Sequence, residues 1–363
     1  GAAPFRQYLF HIQIGPRLYG GLEHEASCVL QTDTLVLPGA GESSRPKDYE
    51  DFLTVFAHEY FHAWLVKHLR PASFLPYKLE RECHTHDLWV FEGFTTCYEN
   101  VLPFRAGVLD EDKLLSLTSA RFNRVREREG FHVESLSDAS FNAWTHLYKQ
   151  TPDSAYCQAS YYGKGAVLAF MLDAALRKAG FSLDEVLKTW FHEALADPQA
   201  RSLPDGGFFE RIPVASIAER FKKLVTSSDR TLWENEWRCA LSTLGMSEEA
   251  DENTPASRMH LGLQLDGLRV RYAESRGSAY AAGLFAGDEI IAVNGLRADA
   301  ATIERMITQA KGSTLHIHYF REHLLRSAEI EVPVNPLPQP GTLKIKSPTE
   351  FGRAWIRSSN RQA

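Results

Sequence analysis

Apolar residues near the start of the chain alternate with polar residues or form short β-branched runs. The run FRQYLFHIQIG at 5–15 and the run SCVLQTDTLVLPG at 27–39 have this pattern, which predicts strands. Gly20 and Gly21 lie between the two runs and predict a break. The alternation is already under way at Tyr8, so we expect a further N-terminal segment before it.

From residue 51 the apolar spacing changes to three or four residues, which is the period of an amphipathic helix. It predicts a helix over 51–69, which ends at the following Arg-Pro pair because a residue before proline avoids helical backbone. A second helix is predicted over about 88–101, and mostly helical structure continues from there to about residue 245.

The composition changes at GMSEEADENTPASR, residues 245–258, an acidic stretch with Ser and Pro that is typical of a linker. Four short strand patterns follow, with a helical pattern at about 301–310 between the second and the third. The sequence thus predicts four parts, namely 1–105, a mostly helical 106–250, a small α+β domain at 258–335 and a Pro-rich tail at 336–363.

The composition narrows the class of protein and of partner. With 363 residues, 44% of them hydrophobic and 24% charged, the chain is typical of a globular protein with sizeable cores. A net charge of -6 disfavours nucleic acid as a partner, since such proteins usually carry a basic stripe. No apolar run approaches the roughly 18 residues of a membrane span. Five cysteines without a C-x-x-C pair argue against a disulfide framework and a thiolate metal site.

The pattern His58-Glu59-Tyr60-Phe61-His62 lies within the first predicted helix. Positions four apart share a helix face, so both imidazoles can bind one cation while Glu59 takes a proton from a metal-bound water. Nitrogen and oxygen ligands in an open tetrahedral site favour zinc. The pattern also arises by chance on helices, but two unliganded histidines and a glutamate among apolar neighbours would be costly to bury.

A catalytic zinc needs a third protein ligand, and Glu92 is the best candidate. It lies among aromatic residues in LWVFEGFTTCYEN, where a buried carboxylate needs a partner such as a cation. Glu99 is the alternative ligand, and Thr96 is placed to hydrogen-bond a ligating histidine. His68 falls on the opposite side of the predicted helix, so we expect it to be solvated or to cap the helix end.

The segments HEYFHAWLVKHLRP and LWVFEGFTTCYEN resemble the glycyl aminopeptidase family of gluzincin zinc metallopeptidases, and more distantly aminopeptidase N. The resemblance implies an α+β multidomain protein with a thermolysin-like catalytic domain, a helical domain and a further C-terminal domain. The catalytic domain, at 1–105, would combine a small β-sheet with the HExxH helices and lack the family's upstream β domain. One Zn²⁺ per chain would be held by His58, His62 and Glu92.

The segment YGGLEHEAS resembles the family's edge strand at the substrate cleft. The resemblance implies that Glu23 binds the α-amine of the substrate and that the backbone of Gly20 and Gly21 lines the cleft. The chemistry agrees, because a carboxylate at a glycine-opened strand edge can pair with an ammonium while a peptide lies along the strand. The alternative is a glycine turn with an exposed glutamate.

The segment SYYGKGAVLAFMLD resembles the Y-x-K-G segment of the relatives, whose tyrosine hydroxyl faces the tetrahedral oxyanion. Aligned on Lys164 and Gly165, this tyrosine is Tyr162, and Tyr161 is the neighbour that could be confused with it. A phenol donor at the oxyanion stabilises a transition state. The alternative is a pair of aromatic residues that pack into the core at a helix start.

The segment SRGSAYAAGLFAGDEIIAVNG at 275–295 resembles the signature of a PDZ domain, with LGLQL at 261–265 as its carboxylate-binding loop. The implied partner of this C-terminal domain is an extended peptide or a protein C-terminus that adds a strand to a sheet edge.

The motifs together predict a zinc aminopeptidase that acts on peptide substrates, with Glu59 as the general base. The family resemblance implies a preference for a small N-terminal residue, Gly or Ala. Two other functions remain open on the sequence alone. One is a zinc endopeptidase, if Glu23 does not face the cleft, and the other is a PDZ-bearing scaffold with a vestigial peptidase.

Overall fold

The computed structural model describes residues 3–39, 48–339, 341–347 and 349–356 of the chain. The predicted N-terminal strands are confirmed as β1 (Leu9–Ile14), β2 (Tyr19–Glu23) and β3 (Ser27–Thr32). They form a sheet in the order β1-β3-β2, with β1 parallel and β2 antiparallel to β3. The glycine pair therefore lies on an edge strand, and this strand contacts helix α1 (Tyr49–Phe61).

The HExxH helix α1 ends at Phe61, so the predicted helix over 51–69 is wrong in its second half. Residues 62–69 instead form a compact turn in which Val66 N donates a hydrogen bond to Leu69 O at 2.8 Å. Val66 has a φ of 111°, a value that β-branched residues avoid and that no right-handed helix contains. The turn redirects the chain directly after the second histidine of the motif.

His68 is only 8% exposed, and its ring meets that of Phe191 at a centroid distance of 5.0 Å. Burial lowers its pKa, and two nearby arginines add to the effect. The predicted solvated or helix-capping role is therefore wrong. The error follows from extending the helical period past Phe61, where the backbone leaves the helix.

The predicted second helix is confirmed, and it begins as a π-helical turn, Trp89–Gly93, that continues into α2. The core of the helical region is α6, which is buried along nearly its whole length. The other helices pack around it. The helices of this region are α2 (Phe94–Arg105), α3 (Glu111–Arg126), α4 (Leu136–Phe141), α5 (Ser154–Cys157), α6 (Tyr161–Lys178), α7 (Leu183–Ala196), α8 (Ala215–Val225) and α9 (Arg230–Leu244).

Shorter elements connect these helices. The strands β4 (Arg70–Pro71) and β5 (Ser202–Leu203) pair in parallel. The 3₁₀ segments are Thr34–Val36, Ala72–Phe74, Glu129–His132, Pro198–Arg201 and Gly207–Arg211.

Two glycines allow α6 to cross the π-helical turn at very short range. A Cβ added to Gly93 would lie 2.5 Å from the Cα of Gly165, and one added to Gly165 would lie 2.8 Å from the Cα of Gly93. Real Cβ atoms do not approach a backbone atom so closely, so the crossing requires glycine on both sides. It brings Glu92, which directly precedes Gly93, and Tyr162, about one helical turn before Gly165, into one region of the fold.

The C-terminal region has a hydrophobic core of its own, which extends from Leu261 to Val332. The predicted strands and helix are present, and the sheet has the order β12-β11-β9-β8-β7, with β10 paired to β9. A π-helical turn at Ser257–Leu261 leads into the sheet. The elements are β7 (Leu263–Asp266), β8 (Arg269–Ala273), α10 (Ser278–Ala281), β9 (Glu289–Val293), β10 (Leu296–Arg297), α11 (Ala300–Gln309), β11 (Thr314–Arg321) and β12 (Leu324–Glu331).

The chain then returns to the helical region, where the sequence predicts only a Pro-rich tail over 336–363. Strand β13 (Thr342–Ile345) pairs antiparallel with β6 (Met246–Glu249), and α12 (Glu350–Ile356) packs on α9. Trp355 is 3% exposed and belongs to the main core. The described part of the tail thus includes a strand and a helix, while its last residues, 357–363, lie outside the described residues.

The fold as a whole mixes helices and sheets, in agreement with the predicted α+β class. Among the residues that the structure describes, no helix combines the length and the apolar character that a membrane span requires.

Candidate metal and substrate site

His58, His62 and Glu92 converge on one point from α1 and the π-helical turn. Glu92 Oε2 lies 3.4 Å from His58 Nε2 and 3.3 Å from His62 Nε2. Ligand bonds of about 2.0–2.1 Å at tetrahedral angles place neighbouring ligand atoms about 3.3 Å apart. Within the described residues, Glu92 Oε2 is buried without a hydrogen-bond partner, and a cation at this point would supply one. The three side chains therefore fit a tetrahedral metal ion.

Hydrogen bonds at the far nitrogens orient both imidazoles. His62 Nδ1 lies 2.9 Å from Leu65 O, and His58 Nδ1 lies 2.8 Å from Glu99 Oε2. A carbonyl oxygen accepts only, so His62 Nδ1 carries the proton and leaves the lone pair of Nε2 for a metal. The carboxylate of Glu99 orients His58 in the same way and is itself paired with Arg121.

Glu99 therefore hydrogen-bonds the candidate ligand His58 on the side that faces away from the metal position. It is not part of the group that can bind the metal. This position corrects the prediction of Glu99 as an alternative ligand. The supporting hydrogen bond expected from Thr96 is not formed, because Thr96 Oγ1 has no partner within the described part of the chain. Glu99, one helical turn after Thr96, forms the supporting hydrogen bond with His58 instead. Carboxylates commonly orient ligating histidines in this way.

The electrostatics of the group favour a cation between the side chains. Burial disfavours a charged His58, but Glu92 and Glu99 outweigh this effect and raise its pKa to about 10. Burial acts to raise the pKa of Glu92, but the two imidazoles hold it well below its usual range. The carboxylates thus create a strongly negative potential at the point where the three ligand atoms meet.

Glu59 lies beside the ligands and against the edge strand. Its Oε2 is buried and has no hydrogen-bond partner among the described residues. Burial raises its pKa to about 7, against the opposing effect of His58 and His62. A Cβ added to Gly21 would lie 2.3 Å from Glu59 Oε1, so a larger residue there would displace this carboxylate from its position. Gly20 has a φ of 145°, which also favours glycine.

Glu23, at the end of β2, lies next to this carboxylate. Atoms of Glu23, Glu59 and His62 that could bind a metal lie within 4.8 Å of one another. The Nζ of Lys67 lies 3.2 Å from Glu23 Oε1. The structure therefore brings the predicted amine-binding residue to the candidate metal site, where it already has a cationic partner.

Lys67 was missed on the sequence, although it belongs to the HEYFHAWLVK segment that carries the family resemblance. A helix through residue 69 would have placed it five positions after His62, away from the ligand face. The turn after Phe61 brings it back towards the cleft. The signal that could have identified Lys67 is that the Glu23 carboxylate needs a positively charged partner.

Tyr162 reaches the same point from the first turn of α6, which Ser160 caps by accepting a hydrogen bond from Gly163 N. Its ring centroid lies 6.1 Å from that of His58, with 24° between the ring planes. Tyr161 is 1% exposed and stacks behind Tyr162 at 4.8 Å. Tyr162 is therefore the tyrosine of the pair that contacts the metal-site histidine, and burial raises its pKa.

Lys164 of the same segment points away from the site and holds the start of α6 in place. Its Nζ is fully buried and donates hydrogen bonds to Phe131 O at 2.5 Å and Glu134 O at 2.7 Å. Burial lowers its pKa to about 7. The lysine of the Y-x-K-G segment thus contributes by anchoring the helix that carries Tyr162.

Comparison with known proteins agrees with this geometry. Residues 51–168 match the M61 glycyl aminopeptidase family, and this segment contains both histidines, Glu92 and Tyr162. The fold is similar to that of an aminopeptidase N family protein from Idiomarina loihiensis, with 29% sequence identity and a TM-score of 0.85. The segment that carries the candidate metal site is thus similar to the glycyl aminopeptidase family. Both similarities agree with the predicted class of protein, a metallopeptidase.

The match to the Idiomarina loihiensis protein covers 98% of this chain and 63% of that protein, so the chain spans less than two thirds of its length. Two weaker structural similarities are to a serine endoprotease from Yersinia pestis and to the HtrA-type protease AlgW with a decapeptide. The first has 18% identity over 35% of this chain and 37% of the other, with a TM-score of 0.20. The second has 21% identity over 30% of this chain and 36% of the other, with a TM-score of 0.19. No curated protein sequence matches the chain.

Proposed function

We propose that this protein is a zinc-dependent aminopeptidase that removes a small N-terminal residue from peptides. The observation that carries the proposal is the position of Glu23, which lies beside Glu59 and His62 at the end of an edge strand. A carboxylate at this distance from the metal ligands can hold the α-ammonium of a peptide whose first carbonyl reaches the metal site. The preference for Gly or Ala is carried over from the family.

His58, His62 and Glu92 are the residues that would hold zinc, since two neutral imidazoles and a carboxylate leave one position open for chemistry. When bound there, zinc supplies Lewis acidity that activates water and polarises a carbonyl. Glu59 takes the proton of the attacking water on Oε2, for which the described part of the chain offers no hydrogen-bond partner, and delivers it to the leaving amine. A pKa near 7 suits a group that must do both.

Tyr162 donates a hydrogen bond from its hydroxyl to the oxygen that becomes negative in the transition state. We expect Tyr162→Phe to lower kcat by about 10²–10³-fold, because one donor at the oxyanion is lost. KM should change little. Steady-state kinetics on Ala-nitroanilide measure both values.

Tyr161→Phe is the matched control for this change. Tyr161 is buried and stacks on Tyr162, whereas the ring contact with His58 is made by Tyr162. The kcat of the Tyr161→Phe variant should therefore stay close to that of the wild type. The opposite result, with a large loss for Tyr161→Phe and none for Tyr162→Phe, would transfer the oxyanion role to Tyr161.

The aminopeptidase proposal is tested with a pair of substrates that differ only in the free amine. We expect the wild type to cleave Ala-nitroanilide and to leave N-acetyl-Ala-nitroanilide intact, since the acetylated substrate cannot pair with Glu23. Equal cleavage of both would replace the aminopeptidase by an endopeptidase. A purified protein without bound zinc and without activity would favour a scaffold with a vestigial peptidase.

For the remainder of the chain we propose a helical domain at 106–250 and a PDZ domain at 258–335. The PDZ assignment is supported by β7, which begins within the predicted carboxylate-binding segment at 261–265 and is at the edge of its sheet. Leu337 N donates a hydrogen bond to Met259 O at 2.7 Å, so the chain's own C-terminal segment runs beside the start of this loop. A peptide or protein C-terminus added at β7 is the proposed ligand.

A further inference from the structure

The carboxylate proposed to bind the substrate amine already has a cationic partner within the protein. Lys67 Nζ lies 3.2 Å from Glu23 Oε1, and the two side chains are 23% and 21% exposed. The pair is thus neither deeply buried nor free in solvent. The α-ammonium of an incoming substrate would therefore find the Glu23 carboxylate already paired with the Lys67 ammonium, which has the same charge.

The backbone that carries Lys67 is held in an unusual shape. Val66, directly before it, has a φ of 111°, which is costly for a β-branched residue and persists only where the surroundings enforce it. On one side Lys67 N donates a hydrogen bond to His62 O at 3.0 Å, and on the other Val66 N donates to Leu69 O at 2.8 Å. The strained turn therefore fixes Lys67 relative to the metal-site histidine and beside Glu23.

We propose that Lys67 sets the affinity of the amine site, because its ammonium pairs with Glu23 until the α-ammonium of a ligand displaces it. This inference rests on the proposed aminopeptidase function, in which Glu23 is the amine site. Each amine ligand must break the Lys67–Glu23 pair before it binds, which weakens binding. The free amino acid left after cleavage faces the same competition, so the return of Lys67 to Glu23 promotes its release.

Replacement of Lys67 by Met removes the competitor and keeps an unbranched side chain of similar length. We expect the dissociation constant of alaninamide to fall by about three- to tenfold, a modest factor because the ion pair is partly exposed to solvent. Calorimetry on the zinc-loaded protein measures this constant. In kinetics, KM for Ala-nitroanilide and the inhibition constant of free alanine should fall by a similar factor.

Three controls isolate the effect. Lys67→Arg retains a cation and should bind alaninamide as the wild type does. Lys113→Met breaks another lysine–glutamate pair, with Glu50 at 2.6 Å, and should leave the constant unchanged. N-acetylalaninamide lacks the ammonium and should show no gain with Lys67→Met.

Equal or weaker binding of alaninamide by Lys67→Met would overturn the inference, because Lys67 would then support the amine site or play no part in it. Should that variant fail to fold, Lys67→Gln provides the same comparison. The outcome is separable from that of the proposed function, which fails if the wild type cleaves free and acetylated substrates equally. The calorimetric comparison requires no turnover.

Discussion

Replacing Glu59 by Gln is expected to lower kcat by about 10²–10⁴-fold, the usual contribution of a positioned acid–base group. Glutamine has nearly the same shape, so it can occupy the space over Gly21 that the carboxylate fills. Its amide cannot accept a proton from water at neutral pH. The loss should therefore be confined to the proton transfers, with zinc content and melting temperature close to those of the wild type.

The kinetic constants for Ala-nitroanilide, the zinc content and the thermal unfolding curve together test this expectation. Glu50→Gln is the matched control, because Glu50 lies in the first turn of the same helix and pairs with Lys113 away from the site. Its kcat should be unchanged. A Glu59→Gln protein with full activity would show that another group moves the proton.

Loss of any one metal ligand is expected to remove zinc and activity together. Glu92→Gln replaces a carboxylate by a neutral amide at the point where two Nε2 atoms converge at 3.3 and 3.4 Å. The remaining two imidazoles do not complete a three-ligand catalytic site. We expect less than about a tenth of an equivalent of zinc after dialysis and no measurable cleavage, and the same for His62→Ala.

Glu99→Gln provides the graded comparison in this series. Glu99 contacts His58 Nδ1 and not the metal position, so its loss should weaken metal affinity by about 10–100-fold without abolishing it. Excess zinc should then restore activity. Titration of the metal-free proteins with zinc, followed by activity, measures the difference. Full zinc retention by Glu92→Gln would remove Glu92 from the ligand set.

The sequence predicted the candidate metal ligands, which the structure brings together, because their arrangement depends on local geometry. His58 and His62 share a face wherever the backbone between them is helical. His62 directly follows α1 but keeps helical φ and ψ angles of -59° and -20°, and its N–H donates to His58 O, so the spacing of four residues keeps its effect. Glu92 was predicted from the cost of burying a carboxylate among aromatic residues. That argument holds in any fold in which the segment is buried, and the structure places Glu92 Oε2 with the histidines.

The sequence failed where the outcome depended on the path of the backbone between elements. The apolar spacing continues past Phe61 because the turn at 62–69 is also buried, so periodicity alone extended the helix. His68 was consequently placed outside and Lys67 was overlooked. The predicted tail was treated as irregular because its prolines are local signals, whereas Trp355 folds back through a distant contact with the main core.

The sequence by itself therefore determined the chemistry of the candidate site, namely two imidazoles, one carboxylate proposed as a ligand and another proposed as a base. Residue type, helical spacing and the cost of burying a carboxylate suffice for these. Only the tertiary structure decided which groups surround them. Three contacts of the site join residues that are far apart in the chain. Glu23 lies close to Glu59, Glu23 pairs with Lys67, and Glu99 hydrogen-bonds His58. Such contacts depend on how sheet, turn and helices pack, and no local pattern encodes that packing.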